Sequence, residues 1–224
     1  MRYDGGKGVS FPHLINLIPP HRKYVETHLG GGAVMRNKLP AKNQIGIDLD
    51  PHVIETWRQD LAHHCHIIHG DAVDNILAME LDAETVVYSD PPYLAETRRR
   101  SRVYRCDYSV RDHERLLECL ISLPCKVLLS GYPSALYERC LAGWSVYRFE
   151  AKTHVGMREE WVWYNFQKPT VLHDDRYMGS NFREREVIRR RQNRLRNRIS
   201  QLSEAEQASL YAWLRGRVET GDMS

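Results

Sequence analysis

Four short apolar runs, Lys23-Tyr24-Val25-Glu26, Gln44-Ile45-Gly46-Ile47, His66-Ile67-Ile68 and Thr85-Val86-Val87-Tyr88, recur along the first half of the chain, and each leads into a glycine turn or a carboxylate. Parallel strands need a crossover between them, and the intervening segments supply it. A glycine turn opens a helix at Ala33, and Pro51 to Ala62 reads as another. This alternation predicts an α/β fold with a Rossmann-like parallel sheet and flanking helices. Ligands of such sheets lie beyond the carboxyl ends of the strands, so Gly30 to Gly32, Asp48, Asp71 and Asp90 are expected to face one crevice.

Each corner has its own chemistry. Leu29-Gly30-Gly31-Gly32-Ala33 lets a ligand approach the backbone closely, with the free amides of a helix start beside it. Read alone, it is equally a plain strand-to-helix connection. Asp48 lies roughly twenty residues on, where a carboxylate can hold ribose hydroxyls. Asp90-Pro91-Pro92-Tyr93 follows the fourth strand. Proline fixes its own φ and restrains the residue before it, so Asp90 and the Pro91 carbonyl are held rigidly. Together they can accept both protons of an exocyclic amine while Tyr93 lies against the ring that carries it. Taken alone, the four residues are also an ordinary turn.

Downstream, Asp112 to Leu123 reads as a helix with Leu116, Leu117, Leu120 and Ile121 inward, followed by a strand at Cys125 to Ser130 and a short helix from Ala135 to Leu141. Trp144 to Glu150 and Glu160 to Phe166 alternate as a terminal hairpin, with Lys152 to Arg158 as its loop. From Asp174 the chain turns charged and helical. Ile188, Leu195, Ile199 and Leu202 form one apolar stripe, and Ser203 with Glu206 makes a capping-box pattern for a second helix carrying Leu210, Trp213 and Leu214. The division expected is a catalytic domain over 1–168 and a basic helical hairpin over 174–220.

The 224 residues carry a formal charge of only +3, but the arginines are clustered. Arg98, Arg99, Arg100, Arg102 and Arg105 follow the Asp-Pro-Pro-Tyr corner. Arg189, Arg190 and Arg194 belong to a second run from Arg183 to Arg198. Such clusters suit phosphate contacts on a nucleic acid, although the second also reads as a solvated helix face. Five cysteines without Cys-x-x-Cys spacing fit a reducing compartment. The run His63-His64-Cys65-His66, with His69, invites a metal reading, but neighbours on a strand face opposite ways and no distant ligand pair is evident, so no metal is expected. Neither a signal peptide nor a membrane span is read from the chain, which points to the cytoplasm.

In order along residues 1–168, Arg2-Tyr3-Asp4-Gly5-Gly6-Lys7, Tyr24-Val25-Glu26-Thr27-His28-Leu29-Gly30-Gly31-Gly32, Asp48, Gly70-Asp71 and Asp90-Pro91-Pro92-Tyr93 resemble the Dam-like, α-class adenine-specific DNA methyltransferases, especially the small phage and prophage versions. The resemblance implies S-adenosyl-L-methionine as cofactor. It implies that Tyr3 and Lys7 contact that cofactor, Lys7 near its carboxylate, that Gly30 and Gly32 form the turn beside it, that Asp48 holds its ribose and that Asp71 sits near its adenine. Asp90, Pro91, Pro92 and Tyr93 become the catalytic corner, with Asp90 serving both the cofactor's edge and the target amine, and the target adenine is flipped out of double-stranded DNA. A bacterial or phage origin and a restriction endonuclease as companion belong to the same implication. The chain departs from the pattern twice. Thr27-His28 stands where the family usually has Pro-Phe, and only Ala72 to Glu84 occupies the place of a sizeable target-recognition domain. Sequence selectivity is then expected to be low or to come from Leu94 to Asp107, Lys152 to Arg158 or the Arg-rich helix. RNA adenines, glutamine amides of proteins, and a non-catalytic DNA-binding regulator with this fold remain alternatives.

Overall fold

The structure, a computed structural model, describes residues 7–59, 65–98, 105–153 and 156–220. Its chain divides into two compact units, 1–175 and 176–224. The first is built on a seven-stranded sheet of order β3-β2-β1-β4-β5-β7-β6, with β1 Lys23–Thr27, β2 Asn43–Asp48, β3 His66–His69, β4 Thr85–Ser89, β5 Lys126–Gly131, β6 Ser145–Thr153 and β7 Gly156–Tyr164. From β1 to β5 every pairing is parallel, and β7 alone runs against its neighbours. This is the expected Rossmann-like α/β sheet with a terminal hairpin. The chain runs outward from β1 to β3, then returns to place β4 on β1's other side. That reversal is the topological switch point where such sheets hold ligands.

The central strands are apolar because both faces are covered. Every residue of β4 is buried. One face, through Val25, Val87, Val127 and Leu129, joins a core with α4 (Ala72–Leu77), α5 (Val110–Ser122) and α6 (Ala135–Cys140). Alternation sends Tyr24, Glu26, Val86 and Tyr88 to the opposite face, where Tyr88 and Ser130 hydroxyls meet at 3.0 Å. Helix starts follow their caps. Asp71 accepts the Asp74 amide before α4, Ser109 and Asp112 form a reciprocal capping box before α5, and Ser134 accepts the Tyr137 amide before α6.

Several boundaries differ from the sequence reading. The hairpin strands run on to Thr153 and resume at Gly156, so most of the supposed loop Lys152 to Arg158 is strand. On α5, Ile121 is 46% exposed, since it lies about 100° around the helix from Leu120, and the buried stripe instead includes His113. The helix α3 spans Pro51–Gln59, and the rest of its expected length lies outside the described residues. In the second unit, α7 (Phe182–Ser200) and α8 (Glu204–Thr220) flank the expected capping box, in which Ser203 and Glu206 exchange hydrogen bonds. Yet no residue of α7 is buried, and Leu195, Trp213 and Leu214 are exposed, so the apolar stripe does not close a core. Its arginines outnumber what one narrow stripe can shelter.

Candidate active site

The first corner is the turn after β1. His28, Gly30 and Gly32 all take left-handed backbone, with φ of 55°, 48° and 58°. For Gly32 the reason is also spatial. A Cβ there would come within 2.1 Å of the Trp57 ring, whose indole N–H donates to the Gly30 carbonyl at 2.9 Å. The Gly30 amide donates to Asp48 Oδ2 at 2.8 Å, and the Asp50 amide donates to Asp48 Oδ1 at 2.8 Å. Asp48, at the end of β2, therefore ties the glycine turn to the adjacent strand. Burial raises its carboxyl pKa, against the pull of those amides.

The second corner is the end of β4. Lys7 Nζ lies 2.9 Å from Asp90 Oδ1 and 3.5 Å from Glu160 Oε2, and it also donates to the Tyr93 hydroxyl. Tyr93 donates in turn to Asp90 Oδ1 at 3.3 Å, with the ammonium 4.8 Å from its ring centre. Lys7, Tyr93 and Glu160 are all buried, and Pro91 and Pro92 are buried beneath them. Burial pulls the Lys7 pKa down, but the charges of Asp90 and Glu160 prevail and hold it well above the usual range. The Asp90 carboxyl is raised, first by burial and further by Glu160, while Lys7 opposes both. On the same face, Tyr24 donates to Glu26 Oε2 at 2.9 Å, and burial pushes Glu26 up to about 8.

Between these corners, Thr27 and His28 make their own network. His28 Nδ1 is 3.0 Å from Thr27 Oγ1, and its Nε2 is 2.8 Å from the Tyr108 hydroxyl. Burial lowers the imidazole to about 3, so the ring is neutral. A left-handed residue that also hydrogen-bonds at both ring nitrogens accounts for a polar side chain here.

The other expected positions are distributed as follows. Asp71 caps α4 and pairs with Arg115 at 2.9 Å, with part of its carboxylate exposed. Arg98 is bidentate on Asp107, at 3.0 and 2.7 Å, with a side chain only 5% exposed, so its charge is neutralised within the fold. Arg105 is largely exposed, 3.6 Å from Asp50 Oδ2. Arg189 pairs with Glu186, while Arg190 and Arg194 are exposed on α7. Tyr3, Arg99, Arg100 and Arg102 lie outside the described residues, as do His63 and His64 of the histidine cluster. Among the described residues no group of His, Cys, Asp or Glu could hold a metal, and no helix is long and apolar enough to cross a membrane. Cys106, Cys119, Cys125 and Cys140 are free thiols.

Sequence reasoning missed Glu160, Glu26 and the residues beyond β5. Tyr132-Pro133 leaves β5 much as Asp90-Pro91 leaves β4, and that parallel was the available signal. Tyr132 meets Tyr93 edge-on at 4.6 Å, and the Arg158 guanidinium lies 3.6 Å over the Tyr132 ring while donating to the Thr97 carbonyl.

No family model matches the chain, and no curated protein sequence does. Solved structures do resemble it in fold. TrmK of M. capricolum, in complex with S-adenosyl-homocysteine, is 9% identical over 96% of this chain and 97% of that one, with a TM-score of 0.47. A dimethyladenosine transferase from Plasmodium falciparum is 14% identical over 73% of this chain and 62% of that one, at 0.48. Magnesium protoporphyrin IX methyltransferase from Synechocystis, with bound S-adenosylmethionine, is 12% identical over 70% and 77%, at 0.46. Likeness at this level does not decide a substrate, which has to be read from the chain's own residues.

Proposed function

We propose that this chain is an S-adenosyl-L-methionine-dependent methyltransferase that modifies the exocyclic N6 amine of adenine in DNA. The observation that carries the reading is the corner after β4. A partly buried carboxylate there already receives an N–H donor, the Lys7 ammonium at 2.9 Å, beside the ring of Tyr93. An adenine amine needs the same acceptor and the same aromatic neighbour.

The residues fit the cofactor. Asp48, Asp90 and Glu160 outnumber Lys7, and the buried oxygens Asp50 Oδ2 and Glu160 Oε2 accept no hydrogen bond among the described residues. Such an acceptor-rich crevice suits a ligand bearing cationic groups and hydroxyl donors. Asp48 and the Gly30–Gly32 turn would hold the ribose and the methionine end, Asp71 the adenine edge, and Tyr3 and Lys7 the carboxylate end. When bound, S-adenosylmethionine supplies a methyl group on a sulfonium.

The chain's own residues do the rest. Adenine's amine is a poor nucleophile because its lone pair is delocalised into the ring. Hydrogen bonds from that amine to Asp90 and the Pro91 carbonyl favour a pyramidal nitrogen and fix its direction of attack. In the resting site Asp90 Oδ1 is occupied by Lys7 and Tyr93, and an amine that takes this oxygen displaces the ammonium. Glu160, 3.5 Å from Lys7, gives it a second anion, so it is never left buried without a partner. Tyr93 then stacks on the extruded base. The exposed arginines of α7, with Arg105, contact phosphates, and Arg98 instead anchors the loop that follows the corner.

Incubation with methyl-labelled S-adenosylmethionine and DNA, RNA or protein, followed by nuclease or protease digestion, tests the assignment. Label is expected in the DNA. Label in RNA or protein alone would replace the substrate class, and failure to bind the cofactor in calorimetry would favour the non-catalytic alternative.

A further inference from the structure

Beside the corner lies a cleft of about 640 Å³ lined by Glu96, Thr97, Tyr132, Pro133, Arg158 and Glu159. Neither Asp90 nor Tyr93 lines it, so it is not where the methylated amine sits. It adjoins that place through the Tyr93–Tyr132 contact at 4.6 Å. We propose that this cleft is a subsite for the base next to the target adenine, stacked on Tyr132 and read by the Glu96 and Glu159 carboxylates. The inference rests on the proposed action on a nucleic acid.

Three observations carry it. The volume is that of a small-ligand pocket and accommodates a nucleotide. One face of Tyr132 already bears a flat, delocalised cation, the Arg158 guanidinium at 3.6 Å, which covers an aromatic face as a nucleobase does. The charges also discriminate base from backbone. The lining carries two carboxylates, Glu96 and Glu159, and one guanidinium, which is engaged with the ring and the Thr97 carbonyl, so the cleft disfavours a phosphate. A carboxylate accepts from an exocyclic amine and finds no donor on thymine's major-groove edge. Glu159 already accepts the Trp161 indole N–H through Oε1 at 2.6 Å, which holds the carboxylate in place and leaves its other oxygen for a base. The occupant is therefore an adenine or cytosine flanking the target. This gives the chain a means of reading sequence without the long insertion that its short stretch from Ala72 to Glu84 excludes.

The experiment uses the full chain and DNA duplexes with one adenine flanked by randomised bases. Methylation is read by sequencing for methyl-adenine, and stacking is read by fluorescence of 2-aminopurine placed beside the adenine. The parent should favour adenine or cytosine over thymine at one flank by about fivefold or more, and should quench the probe. Tyr132→Phe should retain both behaviours. Tyr132→Leu should lose the quench, flatten the preference and raise KM for DNA about tenfold, with cofactor affinity unchanged in calorimetry. Glu96→Gln with Glu159→Gln should flatten the preference alone. A Tyr132→Leu protein that quenches and discriminates like the parent, or a parent that methylates without any flanking preference, overturns the subsite. Absence of methylation in every protein counts against the proposed reaction. The quench then still decides whether Tyr132 stacks a base.

Discussion

Glutamate 160 offers the sharpest perturbation of the proposed chemistry, because it touches Lys7 and not the reacting amine. At 3.5 Å and an effective dielectric of about 20, its attraction for the buried ammonium is about 5 kcal/mol. Glutamine keeps the shape and a carbonyl dipole, and relaxation offsets part of the rest, leaving about 2 kcal/mol, or about 30-fold in kcat. With its second anion gone, Lys7 settles on Asp90 and resists displacement by the incoming amine. Asp90 is meanwhile freed from a like charge that raises its pKa. Since Asp90 works ionised, the acid limb of the kcat profile should move to lower pH even as kcat at neutral pH falls. A methyl-transfer assay across pH on Glu160→Gln, Lys7→Met and the double variant checks both effects. In the Lys7→Met background the glutamate substitution should cost little, because no ammonium remains to be relocated. An equal loss in both backgrounds would refute the relocation mechanism.

Other consequences can be measured independently. Replacing Arg190 and Arg194 of α7 by alanine should weaken DNA binding and lower the slope of log affinity against log salt by roughly one for each phosphate that is no longer neutralised; an unchanged slope removes the phosphate arm. Gly32→Ala forces a Cβ against Trp57 in left-handed backbone and should destabilise the fold by about 3 kcal/mol in urea unfolding, while a loss below about 1 kcal/mol would mean the turn yields easily. Glu26, raised to about 8 from an ordinary 4.5, binds a proton in the folded state that the unfolded chain has released. Its favourable protonated form is thus fully present at low pH and lost as pH rises from about 4.5 through 8, so the parent should lose stability relative to Glu26→Gln across that window. A constant difference between pH 5 and pH 9 would contradict it.

Much of the parallel core was legible because short apolar runs ending in glycine or aspartate encode both the strands and their carboxyl-end turns. The glycine turn follows β1 and Asp90 follows β4, on either side of the reversal, and Asp48 closes β2 beside them. What remained hidden depends on long-range pairing. Glu160 reaches Lys7 only because β7 inserts antiparallel between β5 and β6, a register that no local periodicity specifies. Arg98 looked like a phosphate ligand from its place in an arginine run, but Asp107, nine residues on, holds it in a bidentate pair. His113 reads as polar by type, yet it is fully buried because Tyr137 accepts or donates at its Nδ1, 2.9 Å away. The stripe on α7 follows helical periodicity and still buries nothing, since a pattern of apolar positions does not itself supply a partner surface.

The central claim is that Asp90 directs methyl transfer to an adenine amine. Mass spectrometry of nucleosides released from DNA after incubation with the parent and with Asp90→Ala tests it most directly. N6-methyl-deoxyadenosine should form with the parent and vanish with the variant, whose fold persists. A methyl group on another base, or undiminished methyl-adenine from Asp90→Ala, would contradict the account.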